Sequence, residues 1–190
     1  MEEIIHQDKV FEKISFTAQE IRSREFLCCK FKSCDFSGSN FSYNHFSDCE
    51  FEACNISLLK LVGTSLCNVI FRECKLLGVN FSDTEDFLFS VQFEGGVLDF
   101  ATFANKKMPK TRFINVSLKS VDFTRANLQG ALFDNTNLES ATFSKTVLKE
   151  ANFLTAFNYT IDPESNPMAK ARFSLYGVAG LLSKYAISVE

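Results

Sequence analysis

The chain has 190 residues, 46 % of them apolar, with 22 Phe, no Trp and a formal net charge of -3. That length suits one domain with a real core, and 8 Gly and 3 Pro exclude a collagen-like or low-complexity chain. No apolar run approaches the ~20 residues of a membrane helix, and the charge is not the basic balance of a nucleic-acid binder.

The start, from Met1 to Asp8, is acidic and lacks the basic-then-apolar layout of a signal peptide. A cytoplasmic protein with no membrane contact is expected, and the stretch through Val10 is expected to lie over the open end of the first coil. From Phe11 onward a large apolar residue returns every five positions, through Phe16, Ile21, Phe26, Phe31 and on to Phe81. Neither a helix nor a flat strand has that period. Two residues before each large one the residue is usually small, as at Cys29, Cys34, Ser39, Cys49, Cys54, Thr64 and Cys74. Each five-residue side therefore points one large and one small residue inward, and Gly38, Gly63 and Gly78 fall at corners where positive φ costs glycine little. The fold predicted is all-β, a right-handed quadrilateral β-helix with twenty residues per coil and coils about 4.8 Å apart.

The next step of five is Asp86, where the phase breaks; it resumes at Leu88 and holds through Phe153. With two extra residues assigned to a loop at 82–87, one side stacks Phe11, Phe31, Phe51, Phe71, Phe93, Phe113, Phe133 and Phe153, and the column reaches Phe173. The loop carries Asp83, Glu85 and Asp86 beside Phe87, and Phe89, one after the rung residue Leu88, is expected to point outward. An insertion that the fold does not need is a functional candidate.

Beyond Asn158 the pattern dissolves into turn-rich sequence. Ser174 has the character of an N-cap, and Leu175 to Tyr185 reads as an amphipathic helix with the stripe Leu175, Val178, Leu181, Leu182 and Tyr185, followed by a short strand over 186–189. Residues 1–157 form the β-helix with its N-terminal cap and loop interruption; 158–190 form the final coil, helix and tail. The helix has more apolar residues than covering one coil requires, and a two-fold, tail-to-tail homodimer through that stripe is expected.

Catalytic chemistry is absent from the pattern. His6 and His45 have no nucleophile or carboxylate set around them, there is no phosphate-binding loop and no metal-ligand spacing, so no enzyme activity, metal or cofactor is expected. Cys29 and Cys49 stack on one side and Cys34, Cys54 and Cys74 on another; at the small inward position these read as buried, reduced thiols, with Cys28 and Cys67 outward. Surface charges alternate by rung, in Glu12, Lys32, Glu52, Arg72 and in Asp99, Lys119, Glu139, and exposed pairs of this kind are worth ~0.5 kcal/mol. Acids without bases run from 76 to 105 (Asp83, Glu85, Asp86, Glu94, Asp99), followed by a basic cluster of Lys106, Lys107, Lys110 and Arg112.

The five-residue period over 11–153 resembles the pentapeptide-repeat proteins. The phrase from Phe71 to Phe81 before the break, and the ending from Ala171 to Glu190, are similar to the gyrase-protecting members: the albicidin-resistance, microcin B17 immunity and Qnr quinolone-resistance proteins. The resemblance implies a dimeric rod, like B-form DNA in width and charge, that binds DNA gyrase or topoisomerase IV, relieves poisoning by a drug or toxin, and contacts no nucleic acid directly. A rod with spaced carboxylates can compete for a basic DNA-binding surface. At a net charge of -3, contact through the loop at 82–89, with Glu94 and Asp99 beside it, fits this sequence better than charge mimicry alone. A protein-interaction scaffold without a topoisomerase role is the alternative.

Overall fold

One large inward residue in five leaves a chain a single economical way to bury them: each coil must lie on the next. The computed structural model, which describes residues 4–185 and 187, is a right-handed parallel β-solenoid of about eight coils with one short C-terminal helix. Strands β1 (Ile5–Gln7), β3 (Glu25–Leu27), β5 (His45–Ser47) and β7 (Ser65–Cys67) form a four-stranded parallel sheet on one side of the rod. On the adjacent side, β2 (Val10–Glu12), β4 (Lys30–Lys32), β6 (Glu50–Glu52), β8 (Val69–Lys75), β9 (Val91–Val97), β10 (Arg112–Ile114), β11 (Leu132–Asp134), β12 (Asn152–Phe153) and β13 (Arg172–Phe173) form a nine-stranded sheet. The other two sides are joined by isolated parallel bridges such as Ser15↔Asp35 and Glu20↔Asn40.

The Phe column is continuous. Phe11 pairs with Phe31, Phe31 with Phe51 and Phe51 with Phe71, each twenty residues on, and Phe71 pairs with Phe93 across the break. From Phe11 to Phe173 successive rings stack with centroids 4.5 to 5.4 Å apart. Rings of the neighbouring column meet them edge-on, as Phe93 meets Phe103 at 5.8 Å and 73°. Offset stacking up a column and T-shaped contact across it are the two favoured aromatic geometries, so a Phe-rich rod satisfies both at once. The corners take positive φ, at Gly38 (66°) but also at Leu58 (57°) and Phe100 (62°). That conformation costs a non-glycine residue roughly 1–2 kcal/mol, and the ladder of bonds on either side of each corner holds it.

The inward cysteines are buried and unbridged. Their thiols lie 3.3 Å from the carbonyls of the coil below, Cys49 on Phe26, Cys54 on Phe31 and Cys74 on Phe51. Burial pushes the Cys49 thiol up to about 12. Among the described residues no group of three or more His, Cys, Asp or Glu is placed to hold a metal ion, and no helix is long and apolar enough to cross a membrane.

Two expectations about the ends are corrected. The N-terminal stretch is not a lid: Ile5–Gln7 and Val10–Glu12 are strands of the first coil, and His6 stacks on Phe26 at 4.9 Å. A His ring meets a Phe ring as another aromatic would, so the period extends one rung further than its apolar residues suggest. At the other end the single helix over 175–185 is instead a 3-10 turn (Leu175–Gly177), a four-residue α-helix (Ala179–Leu182) and a second 3-10 turn (Ser183–Tyr185). Ser174 does cap it, accepting from Gly177 N–H at 3.1 Å. The helix is interrupted because it is held to the coil beneath: Ile161 N–H donates to the Gly180 carbonyl at 3.0 Å, and side chains at Gly177 or Gly180 would run into Tyr159. The expected strand over 186–189 lies outside the described residues except for Ile187.

Candidate functional site: the loop at the break

The break lies on the side that carries the four-stranded sheet, and it ends that sheet. The corner before the break is already altered, to a 3-10 turn over Phe81–Asp83 whose Asp83 carbonyl accepts from Gly63 N–H, but Glu85 N–H still donates to the Thr64 carbonyl at 2.9 Å, as Ser65 donates to Asn44 one coil earlier. Regular bonding returns at Ser90, which donates to the Leu66 carbonyl and accepts from Val69 N–H at 3.0 Å. Four residues, 86–89, thus stand where two would fit, so no strand forms above β7.

This placement corrects the rung assignment. Leu88 does not fill the core: it is 62 % exposed with φ 56°, while Phe89, expected outside, is 8 % exposed and fills the inward place. Counting back five from Phe93 selects Leu88, but the bonds of Ser90 fix the register, and they turn the neighbouring residue inward. Phe87 is 78 % exposed. The tip is therefore an apolar pair, Phe87 and Leu88, standing off the rod.

Lys106 explains how the loop is held, and it was expected in a surface basic cluster. Two residues before Met108, it occupies the inward position of this side, and it is 1 % exposed. Its ammonium donates to the Thr84 carbonyl at 2.7 Å, to the Glu85 carbonyl at 3.3 Å and to Asp86 Oδ1 at 2.7 Å, and lies 4.7 Å from the centre of the Phe89 ring. A buried cation is tolerated when it is paired and its donors are filled, and this one also has a ring face beneath it. The sequence held one signal for it: a lysine within the rod in a column that carries Asn44, Thr64, Ala126 and Thr146, its other cation being Arg24 in the second coil.

The other expected contact residues divide. Asp83 and Glu85 are exposed, with Asp83 Oδ2 accepting from Asn80 Nδ2 at 2.9 Å. Asp86 is exposed but paired to Lys106. Glu94 accepts from Arg72 Nε at 2.8 Å, and Arg72 also pairs with Glu50, so the charge ladder runs straight across the break. Asp99 Oδ1 accepts from Ser117 Oγ at 2.6 Å and Lys119 N–H at 2.9 Å. Glu94 and Asp99 thus tie coils together, leaving Asp83, Glu85, Phe87 and Leu88 as the presented set.

At the C-terminal end Leu175 is 85 % and Tyr176 97 % exposed, whereas Leu181 packs against the core. Tyr185 is half-exposed and its hydroxyl donates to Glu164 at 2.9 Å. An open cleft of about 410 Å³ beside Tyr176 is lined by Leu154, Phe157, Tyr159 and Gly177.

A filled four-sided coil stack with one presented loop defines a repeat scaffold that works by its surface. A family model described as a pentapeptide repeat region matches residues 24–85, and one described as pentapeptide repeats (8 copies) matches 97–135 and 122–154. The chain belongs to the pentapeptide-repeat proteins, and the two matched stretches stop and restart on either side of the loop. No curated protein sequence matches. Among solved structures, HetL, a pentapeptide repeat protein involved in heterocyst differentiation regulation from the cyanobacterium Nostoc, is similar with a TM-score of 0.60 at 15 % identity, over 92 % of this chain and 90 % of its own. Full-length QnrB1, a plasmid-mediated fluoroquinolone resistance protein, is similar with a TM-score of 0.57 at 16 % identity, over 96 % of this chain and all of its own. A trypsin-treated form of QnrB1 gives 0.61 at 16 % identity, over 95 % and 99 %. At these identities the likeness is one of fold.

Proposed function

We propose that the chain binds a bacterial type II topoisomerase, DNA gyrase or topoisomerase IV, in the cytoplasm and protects it from a poison. The observation that carries this reading is the loop: an exposed Phe87–Leu88 tip preceded by exposed Asp83 and Glu85, held at a fixed height on a rod of nine stacked strands, roughly 40 Å long. The shared fold with a fluoroquinolone resistance protein supports it. At a net charge of -3, with Asp86, Glu94 and Asp99 engaged within the rod, the reading favours shape and loop contact over charge mimicry. A second copy docked on Leu175, Tyr176 and the neighbouring cleft gives a tail-to-tail dimer twice as long, with Val178, Leu182 and Tyr185 at its margin.

The test is a gyrase supercoiling and drug-induced cleavage assay with the purified chain and with a variant lacking Phe87 and Leu88. The intact chain relieves drug-induced cleavage, and the excision, which returns that coil to twenty residues, leaves the rod folded and reduces protection at least tenfold. A chain that changes neither reaction at any concentration sinks the proposal. That result favours the second reading, a regulatory scaffold, which the near-neutral charge and the likeness to HetL support.

A further inference from the structure

The inward column beside the loop has a consistent chemistry. Its polar side chains donate to a backbone carbonyl of the coil below: Asn44 Nδ2 to Ile21 at 2.6 Å, Thr64 Oγ1 to Phe41 at 2.8 Å, Thr146 Oγ1 to Phe123 at 2.8 Å, and Asn166 Nδ2 to Phe143 at 3.1 Å. Each of these donors lies twenty-three residues after its acceptor and is short, because the coil below is close. Above the break, the coil below is the loop. Thr84, in the coil that carries the loop, departs from the rule and bonds within its own turn, to the Phe81 carbonyl at 2.7 Å. The next member of the column is Lys106, whose four-carbon stem spans the added height.

We propose that Lys106 is a positioning residue that locks the loop in one conformation, and so fixes where the Phe87–Leu88 tip stands. Three acceptors from three consecutive residues, 84, 85 and 86, converge on one buried ammonium, and Phe89 packs against it from within. Hydrogen bonds to a charged donor are the strong kind, and removing the donor leaves buried carbonyls unpaired. The loop has little else to hold it: the Phe89 N–H reaches the Asp86 carbonyl only at 3.4 Å, and no strand covers it. Asp86 is the outer member of the lock. Its carboxylate neutralises the buried charge and is spent within the chain instead of being offered to a partner. The lock is a property of the free protein; its bearing on topoisomerase binding rests on the reading above.

Hydrogen exchange followed by mass spectrometry separates the two. In Lys106→Met, which keeps most of the stem and removes the donors, amides of 84–90 are expected to exchange at least tenfold faster, with β9 and β10 unchanged. Lys106→Ala, which places at this rung the residue found at Ala126, is expected to do the same and serves if Met does not fold. Lys106→Arg, which keeps charge and donors, retains part of the protection, and Asp86→Asn, which leaves both carbonyl contacts, gives a rise of about threefold or less. Wild-type exchange in Lys106→Met or in Lys106→Ala overturns the lock, since a stem that merely fills space would protect equally well. If exchange rises while relief of drug-induced gyrase cleavage stays complete, the lock stands and the loop is not the contact surface. If both change together, lock and reading stand.

Discussion

Two adjacent sides of this rod carry the same repeat, and only one runs its full length. On the continuous side nine strands stack with a ring on every rung from Phe11 to Phe173, and the two-residue slip between Phe71 and Phe93 leaves the ring column unbroken, while the two strands that flank it lengthen to seven residues. On the interrupted side four strands stack and then stop under the loop. The difference teaches where a solenoid tolerates an insertion. Each coil leans on its neighbours alone, so extra length can bulge from one side provided the other sides re-pair, and what remains is to fill and satisfy the gap. Phe89 fills it and Lys106 satisfies it.

The sharpest test of that difference is a pair of truncations. Phe113 is fully buried with rings stacked above and below it, and Phe113→Ala is expected to cost about 3–5 kcal/mol. Phe89 has no stacked ring among the described residues, and its neighbours Phe87 and Leu88 are exposed and can settle into the space it leaves while Lys106 keeps its bonds to 84–86. Phe89→Ala is therefore expected to cost less than half as much in urea unfolding, with the loss confined to loop order. Equal costs would mean that the interrupted side is as rigid as the continuous one.

A smaller effect probes the outer surface of the continuous side at the slip. Arg72 reaches Glu94 at 2.8 Å across the break and Glu50 on the coil below. It is more than a third exposed, so Arg72→Met is expected to lower stability by about 0.5–1 kcal/mol, less in high salt. A loss above about 2 kcal/mol would show that the side owes its continuity to this ladder more than to the Phe column.

The continuous side was legible from sequence because its signal is redundant: nine Phe, twenty residues apart at every step but the slip, survive a local irregularity. The interrupted side was legible only as an interruption. Its far bound, read as Phe87, moves to Phe89 because Leu88 and Phe89 are both large and apolar, and five-residue counting cannot choose between them; backbone bonds from Ser90 do. Lys106 was misplaced for the same kind of reason, since charge predicts a surface while position predicted the interior. At the C-terminal end, spacing gave one helix over 175–185, but the pull of Ile161 on the Gly180 carbonyl breaks it, a tertiary bond that no local pattern carries.

The cap offers the smallest expected effect and tests whether the rod's end is held as firmly as its middle. Lys184 reaches Asp162 Oδ1 at 2.7 Å and Glu164 Oε2 at 2.6 Å. The ammonium beside them holds both carboxyls below the usual carboxylate range, and the two carboxylates hold the ammonium above its usual range. Lowered carboxyls contribute stability above their unfolded-state values and lose it as pH falls through their folded-state values; the raised ammonium loses its contribution only as pH rises through a value far into the alkaline range. The tie is thus complete at neutral pH and weakens in acid, below the ordinary carboxylate range. Amide exchange in 161–185 is expected to accelerate there by a few-fold beyond its intrinsic pH dependence, before β9 to β11 respond, and Lys184→Met is expected to show the faster exchange already at neutral pH. Identical profiles for the two proteins would mean that the cap rests on Leu181 and the Gly180 carbonyl alone.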